Sequence, residues 1–186
     1  MANLQIIGGR PLKGEIRVGG NKNSMFGLIS AALLASSPIR LTNIPKVRDV
    51  EVMVELIKKL GCEVSYNGDG MLTIDPSGIS SSSPDRELAG KIRGSVVLSA
   101  PLLVRFGEVE IPRPSGDSIG WRLLETHINM FTSFGAQCSG DNGAYEIKAG
   151  NIKASEIFLE EASVTATEMA IIVGATLTGE TIIEGA

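Results

Sequence analysis

Cysteine, histidine and tryptophan are scarce in this chain: 2, 1 and 1 among 186 residues, with aromatics at 4%. Cys62 and Cys138 lack metal-ligand spacing and His127 is the single histidine, so no protein zinc site of the usual kind is expected. Two thiols without a disulfide framework fit a reducing, cytoplasmic setting. The opening Met1-Ala2-Asn3-Leu4 shows neither the basic start nor the apolar core of a secretory signal. No apolar run approaches the roughly 20 residues that span a bilayer. The longest, Met25 to Ala35, reads as a helix buried on most sides, and no membrane partner is expected. Positive charge is in deficit too, with 17 Lys and Arg against 21 Asp and Glu and a net charge of -4. That balance argues against general affinity for nucleic acid, yet leaves room for a local basic pocket that takes a small anion.

What is present centres on Gly19-Gly20-Asn21-Lys22-Asn23-Ser24, between a strand-like segment and the apolar helix. Lys22 brings a full positive charge with three donors, and Asn21 and Asn23 bring amide donors and acceptors. The two glycines permit a sharp turn, and the following helix N-terminus adds free N–H groups. A phosphate or carboxylate site is one reading; a plain glycine turn with an asparagine helix cap is the other.

Residues 4–19 read as two strands around a turn, since Gly14-Glu15-Ile16-Arg17-Val18 alternates apolar and polar. A helix over 23–35 follows, then a strand over 39–44 that stops at Pro45. Asp49 is expected to cap an amphipathic helix with Val50, Met53, Val54, Ile57 and Leu60 on one face, ended by Gly61. A hairpin, 62–66 and 71–74, turns over Asn67-Gly68-Asp69-Gly70, and a Ser-rich loop runs from Gly78 to Asp85.

The pattern then repeats: a helix over roughly 87–104, a strand over 107–111 stopped at Pro112, a helix over about 119–134 ended by Gly135, and a hairpin through 137–140 and 144–148. Gly61 and Gly135 are 74 residues apart, Pro45 and Pro112 only 67, so the second copy carries 7 extra residues in the loop around Arg113-Pro114-Ser115-Gly116-Asp117-Ser118. A third copy begins with a helix at about 163–177 and a strand at 179–184 and stops there. No copy can bury its apolar face alone, so the copies must pack on one another. The interrupted third copy leads us to expect a piece of a longer protein, with a natural short form completed by a partner as the alternative.

Several stretches together resemble one family: Leu12-Lys13-Gly14-Glu15-Ile16, Gly20-Asn21-Lys22-Asn23, Leu41-Thr42-Asn43-Ile44-Pro45 with Asp49-Val50, Ile92-Arg93-Gly94-Ser95, Pro101 to Gly107, Gly116-Asp117-Ser118-Ile119-Gly120-Trp121-Arg122 with His127-Ile128, Ser163-Val164-Thr165-Ala166-Thr167, and Thr178-Gly179-Glu180-Thr181. The chain is similar to the N-terminal part of the UDP-N-acetylglucosamine enolpyruvyl transferases (1-carboxyvinyltransferases) of bacterial cell-wall synthesis. The resemblance implies an α/β fold of the α+β kind, an inside-out α/β prism of repeated βαβαββ units with the third truncated. Residues 1–20 would be strands of the opposite, missing C-terminal domain. Residues 21–186 would form the prism domain, with units of about 21–77, 86–150 and an incomplete 155–186.

The family's reaction, again by resemblance, moves the enolpyruvyl group of phosphoenolpyruvate onto the 3-hydroxyl of UDP-N-acetylglucosamine and releases phosphate, through addition and elimination. It needs no cofactor. Lys22 would contact phosphoenolpyruvate, Asn23 would hydrogen-bond the reacting oxygens, and Arg93 and Arg122 would neutralise phosphate as planar bidentate donors. Read without the family, Arg122 is a solvated helix arginine and Arg93 a first-turn helix charge. Asp117 stands where most members carry the cysteine alkylated by fosfomycin; it would serve as proton donor, or it simply stabilises a turn and caps a helix. Leu123, Leu124 and Glu125 match the loop that holds the uracil ring, and Ser163 and Val164 match residues near the uridine. The chain departs from the family where Leu123 replaces a proline, Glu161 a basic residue and Thr165 a glycine. A carboxylate at 161 would repel a diphosphate. His127 reads as a packing residue outside the core site. The presumed base and further arginines would lie in the missing half, so this chain is expected to have no turnover alone. Rival readings are a shikimate 3-phosphate enolpyruvyl transferase and a non-catalytic ligand-binding prism domain.

Overall fold

The computed structural model of the chain describes residues 3–68, 70–112, 124–140 and 144–186. The elements run α1 (Lys22–Ala32), β1 (Ile39–Thr42), α2 (Arg48–Lys59), β2 (Glu63–Tyr66), β3 (Met71–Asp75), α3 (Arg86–Lys91), a 3-10 turn (Arg93–Leu98), α4 (Ser99–Phe106), β4 (Glu108–Pro112), α5 (Glu125–Ser133), β5 (Gln137–Gly140), β6 (Ala144–Lys148), β7 (Glu156–Phe158), α6 (Val164–Gly174) and β8 (Ile182–Glu184).

Two antiparallel sheets share one topology: β1-β3-β2 in the first copy and β4-β6-β5 in the second. In each, the last strand of the hairpin sits between the other two. Ile39 pairs with Ile74 and Val64 with Ile74, while Val109 and Cys138 both pair with Ile147. These rows place apolar side chains on one face, as period-2 alternation requires. Leu72, Ile74 and Ile147 are fully buried there. The corners between second helix and hairpin also match. Gly61 N–H donates to the Lys58 carbonyl and Cys62 N–H to that of Ile57; 74 residues on, Gly135 N–H donates to Thr132 and Ala136 N–H to Phe131. Both glycines have positive φ, 110° and 98°.

The helices pack on one another across the copies. α1 lies against α2, α4, α6 and the 3-10 turn, and α6 lies against α4, α5 and that same turn. Arg105 Nη1 donates to the Leu33 carbonyl at 2.6 Å, so α4 closes the C-terminal end of α1, where carbonyls lack helical partners. Asp85 accepts from Leu88 N–H to cap α3, and its carboxylate also meets Lys59 Nζ at 2.7 Å. These two interactions hold the Asp85 carboxyl below its usual range. Gly27 of α1 leaves room for Glu168 of α6, whose Cδ would stand 2.8 Å from a Cβ there. Burial raises the pKa of that carboxyl.

Several expectations are corrected. The two strands foreseen within 4–19 do not form: 3–20 has no regular structure, and Leu4, Ile6, Ile7, Leu12, Ile16 and Val18 are each at least 81% exposed. Alternation gives a strand only where a neighbour supplies the ladder, and no described element pairs with this segment. Asp49 does not cap α2; Val47 holds that position without a side-chain bond, and Asp49 lies in the first turn. The long helix expected over 87–104 is broken at Ile92, whose φ of -137° and ψ of 128° are extended, and continues as a 3-10 turn before α4. The first strand stops at Thr42 because Asn43 turns left-handed, φ 59°. β7 was not foreseen; it pairs parallel with β8, with α6 as the crossover between them. The early start expected for α5, and the 7-residue insert, fall within 113–123 and lie outside the described residues. Among the described residues no helix is long and apolar enough to cross a membrane.

The Gly61 corner yields a stability test. A Cβ at Gly61 would overlap the Gly78 carbonyl, whereas Gly107, also left-handed at φ 76°, has open space around it. Gly61→Ala is expected to lower the unfolding free energy measured in urea by about 2–3 kcal/mol, and Gly107→Ala by only about 1 kcal/mol. Equal losses would show that the contact with Gly78 does not govern the corner.

Candidate active site

The first turns of four helices and the start of the 3-10 turn converge on one open cleft of about 740 Å³. α1 contributes Lys22, Asn23 and Phe26; α2 contributes Asp49; the 3-10 turn contributes Arg93 and Gly94; α5 contributes Glu125, Thr126 and His127; and Glu161 to Thr165 lead into α6. Helix N-termini carry partial positive charge and unpaired N–H groups, so their convergence favours an anion whatever the side chains do.

The geometry around Lys22 is set by α1. Asn21 caps the helix by accepting from Ser24 N–H at 3.0 Å, so it serves the cap foreseen for an asparagine here. One turn on, Phe26 lies beneath Lys22, with the ammonium 5.9 Å from the ring centroid. Phe26 in turn packs on Gly94 so closely that any Cβ there would overlap the ring. Lys22 Nζ meets Asp49 Oδ2 at 2.8 Å, with side chains 46% and 37% exposed. Half-exposed pairs of this kind contribute little to stability, typically about 0.2–1 kcal/mol. Arg93 stands on the next wall, and its Nε is buried without a hydrogen-bond partner among the described residues.

The wall opposite α1 is more ordered than its sequence suggested. Ser163 caps α6, accepting from Ala166 N–H at 3.3 Å. His127 Nε2 lies 2.8 Å from Thr165 Oγ1, and that hydroxyl lies 3.4 Å from Ser163 Oγ. His127 is only 2% exposed. Burial, with the nearby Arg93 charge, pushes its pKa down to about 4, so the imidazole is neutral at ordinary pH.

Of the residues singled out from sequence, Lys22, Asn23, Arg93, Glu125, Ser163 and Val164 share this cleft. Leu124 does not: its side chain is buried in the core and is absent from the cleft wall, which leaves a ligand only its backbone. Asp117, Arg122 and Leu123 lie outside the described residues. His127, expected as a packing residue, is buried and hydrogen-bonded and also borders the cleft. Asp49, Phe26 and Gly94 were missed as site residues, although Asp49 and Gly94 belonged to the stretches that carried the resemblance. Among the described residues no group of histidine, cysteine, aspartate and glutamate could hold a metal ion.

The neutral imidazole sets a pH dependence. An unfolded histidine takes up a proton near pH 6.5, the folded one only at about 4. The unfolded state therefore binds more protons between these values. Stability falls as pH drops from 6.5 to 4 and this contribution then levels off, by on the order of 3 kcal/mol at most. Urea unfolding from pH 7.5 to 4 is expected to show a shallower acid slope for His127→Gln than for the natural chain; parallel slopes would refute a buried neutral imidazole.

The chain is similar to known proteins in sequence and in fold. UDP-N-acetylglucosamine 1-carboxyvinyltransferase of Bradyrhizobium diazoefficiens is 40% identical over all of this chain, which covers 43% of that protein. UDP-N-acetylglucosamine 1-carboxyvinyltransferase 3 of Caldanaerobacter subterraneus subsp. tengcongensis is 39% identical over 99% of this chain and 44% of its own length. The chain thus spans less than half the length of the curated relatives it matches. Among solved structures, the enolpyruvyl transferase NikO from Streptomyces tendae superposes with a TM-score of 0.78 at 25% identity, over 95% of this chain and 41% of that one. EPSP synthase from Acinetobacter baumannii shares the fold, with a TM-score of 0.69 at 19% identity over 93% of this chain and 40% of that one. The family model of EPSP synthase (3-phosphoshikimate 1-carboxyvinyltransferase) matches residues 6–186, and the chain belongs to that family.

Proposed function

We propose that this chain supplies one wall of the active-site cleft of a UDP-N-acetylglucosamine enolpyruvyl transferase. The observation that carries the reading is the convergence of helix N-termini on a cleft holding Lys22, Asn23 and Arg93 on one side and Ser163 and Val164 on the other. These residues come from separated stretches of sequence and meet only in the fold. The identity of about 40% to proteins named for the amino-sugar acceptor favours that branch over the shikimate one.

In this reading Lys22 leaves Asp49 to bind the phosphate or carboxylate of phosphoenolpyruvate. Asn23 hydrogen-bonds the oxygens at the reacting carbon. Arg93 and Arg122 neutralise the phosphate, each as a bidentate donor. Asp117 delivers a proton to the methylene carbon as the sugar 3-hydroxyl adds to the neighbouring carbon and gives up its own proton to a base from the missing half. The ketal then loses a proton from the new methyl group and expels phosphate. Leu123, the Leu124 backbone, Glu125, Ser163 and Val164 hold the nucleotide.

The architecture we propose is the inside-out prism, with 21–186 as its domain and 1–20 as strands of an opposite domain. The exposed apolar side chains of 3–18 support this, since they have no partner among the described residues. The charge of the cleft supports a second half as well. Its described side chains are two cations, Lys22 and Arg93, against three carboxylates, Asp49, Glu125 and Glu161. Two cations cannot neutralise a phosphate, a carboxylate and a diphosphate, so further cations must face this wall.

Phosphate release from phosphoenolpyruvate plus UDP-N-acetylglucosamine tests the reading. Turnover is expected from the gene product extended to its native stop codon and none from residues 1–186 alone. In the extended protein Lys22→Ala is expected to reduce kcat/KM at least 100-fold, about 2.7 kcal/mol of transition-state binding. Silence of the extended protein with both the amino-sugar and the shikimate acceptor would overturn the enzyme assignment.

Asp117 gives a second test. A carboxylate is a poor nucleophile toward an epoxide where a thiolate is a good one. The extended protein is expected to keep full activity after incubation with fosfomycin, and Asp117→Cys to lose it progressively. Time-dependent loss in the aspartate form would remove Asp117 from the position assigned to it.

A further inference from the structure

Thr165 occupies the cleft wall at the start of α6 and makes a 2.8 Å hydrogen bond to His127 Nε2 from α5. The direction of that bond decides what Thr165 can do. A neutral imidazole carries one N–H and one lone pair, and its two nitrogens exchange these roles together. His127 Nδ1 is buried with no hydrogen-bond partner among the described residues. A proton on Nδ1 would therefore be a buried N–H without an acceptor, which costs about 1–3 kcal/mol. It would also be a donor dipole within the field of the Arg93 guanidinium, whose charge acts on this ring. A lone pair on Nδ1 is unpaired as well, but the Arg93 charge favours it where it would oppose an N–H. The proton belongs on Nε2, and the histidine is the donor to Thr165 Oγ1.

Thr165 then keeps its own hydroxyl proton. Among the described residues the other polar side chain beside it is Ser163 Oγ at 3.4 Å, a contact long enough for an oxygen of a bound molecule to displace. The hydroxyl is half-buried and borders the cleft. We propose that Thr165 is a specificity-determining residue, set by His127 to donate its hydroxyl proton to an acceptor oxygen of the bound molecule. Because the wall around it includes Ser163 and Val164, that oxygen is a phosphoryl or carbonyl oxygen of the nucleotide; this last step rests on the function proposed above. The donor also offsets the neighbouring Glu161, whose carboxylate would otherwise repel a diphosphate at this end of the cleft. The remaining charged groups around the ring are Arg93 from the 3-10 turn, Glu125 from its own helix and Glu161 before α6, with Lys22 and Asp49 across the cleft.

The single histidine makes the test clean. In the 186-residue chain, prepared with [15N]histidine and without a histidine tag, the imidazole is expected to show a bare Nδ1 and a protonated Nε2, and to stay neutral down to about pH 5. Thr165→Val is expected to shift the Nε2 resonance and Thr165→Ser to leave it in place. Titration with UDP-N-acetylglucosamine is expected to show about tenfold weaker binding for Thr165→Val, and affinity within about twofold of natural for Thr165→Ser. A proton on Nδ1, or equal affinities for the natural chain and Thr165→Val, overturns the proposal. Should the natural chain take up no UDP-N-acetylglucosamine, the acceptor assigned in the proposed function falls, and the nitrogen spectrum alone decides whether Thr165 is a donor. Activity of the extended protein, read separately by phosphate release, distinguishes failure of the enzyme reading from failure of this one.

Discussion

One orientation rule organises the molecule: α1, α2, α5, α6 and the 3-10 turn all begin at the cleft. The repeat imposes it, because copies of one helix–strand–helix–hairpin unit that pack side by side present equivalent ends to the same side. Each helix brings about half a positive charge to its start, concentrated on the first turn. No single copy could gather four such ends, and no single copy can bury its apolar helix face. Packing and electrostatics thus ask for the same assembly. A tight point in it is Phe26 of α1 on Gly94 of the 3-10 turn, where even a methyl group would overlap the ring. That contact joins the first copy to the second and fixes the spacing between Lys22, above the ring, and Arg93, next to the glycine.

Much of the fold was legible because its signals are local. Gly61 and Gly135 ended their helices, Pro112 closed β4, and both hairpins formed where alternation and turn residues placed them. What was not legible depends on partners distant in sequence. The alternation of Gly14 to Val18 is strand-like, but without a neighbouring ladder it yields an exposed segment. The break at Ile92 was read through although Gly90 and Gly94, both poor helix formers, flank it; it puts Arg93 and Gly94 at the start of a new turn instead of inside a long helix. β7 is three residues long, and its partner β8 follows only after a whole helix, so pattern alone could not announce it.

The site divides the same way. Lys22 and Asn23 stood out because a cation and amide groups meet a helix start there, a pattern equally open to a plain capped turn until the resemblance gave them roles. Asp49 was misread for a physical reason: a carboxylate near a helix start suits the dipole whether it caps the helix or not, and only the fold shows that it faces Lys22. His127 is the buried, hydrogen-bonded packing residue expected of a lone histidine, but the sequence alone could not name the residue its ring would meet. Its partner Thr165 had been noted only as a departure from a pattern, and the 2.8 Å bond between them turns two weak signals into one feature.

The pairing of Lys22 with Asp49 follows from the same orientation rule. Asp49 sits in the first turn of α2, where the helix end stabilises a negative charge. Lys22 sits in the first turn of α1, where the helix end disfavours a positive one. An unaccompanied lysine there would swing toward solvent, since its stem has several free rotations. Asp49 on one side and the Phe26 ring on the other hold the ammonium over the cleft. In the function proposed above, an incoming anion replaces Asp49 at little cost because the pair is half-exposed, and it gains a cation already in position. The pair therefore matters less for folding than for keeping Lys22 in one place while the cleft is empty. The carboxylate that weakens the positive field of the cleft is what makes its principal cation available.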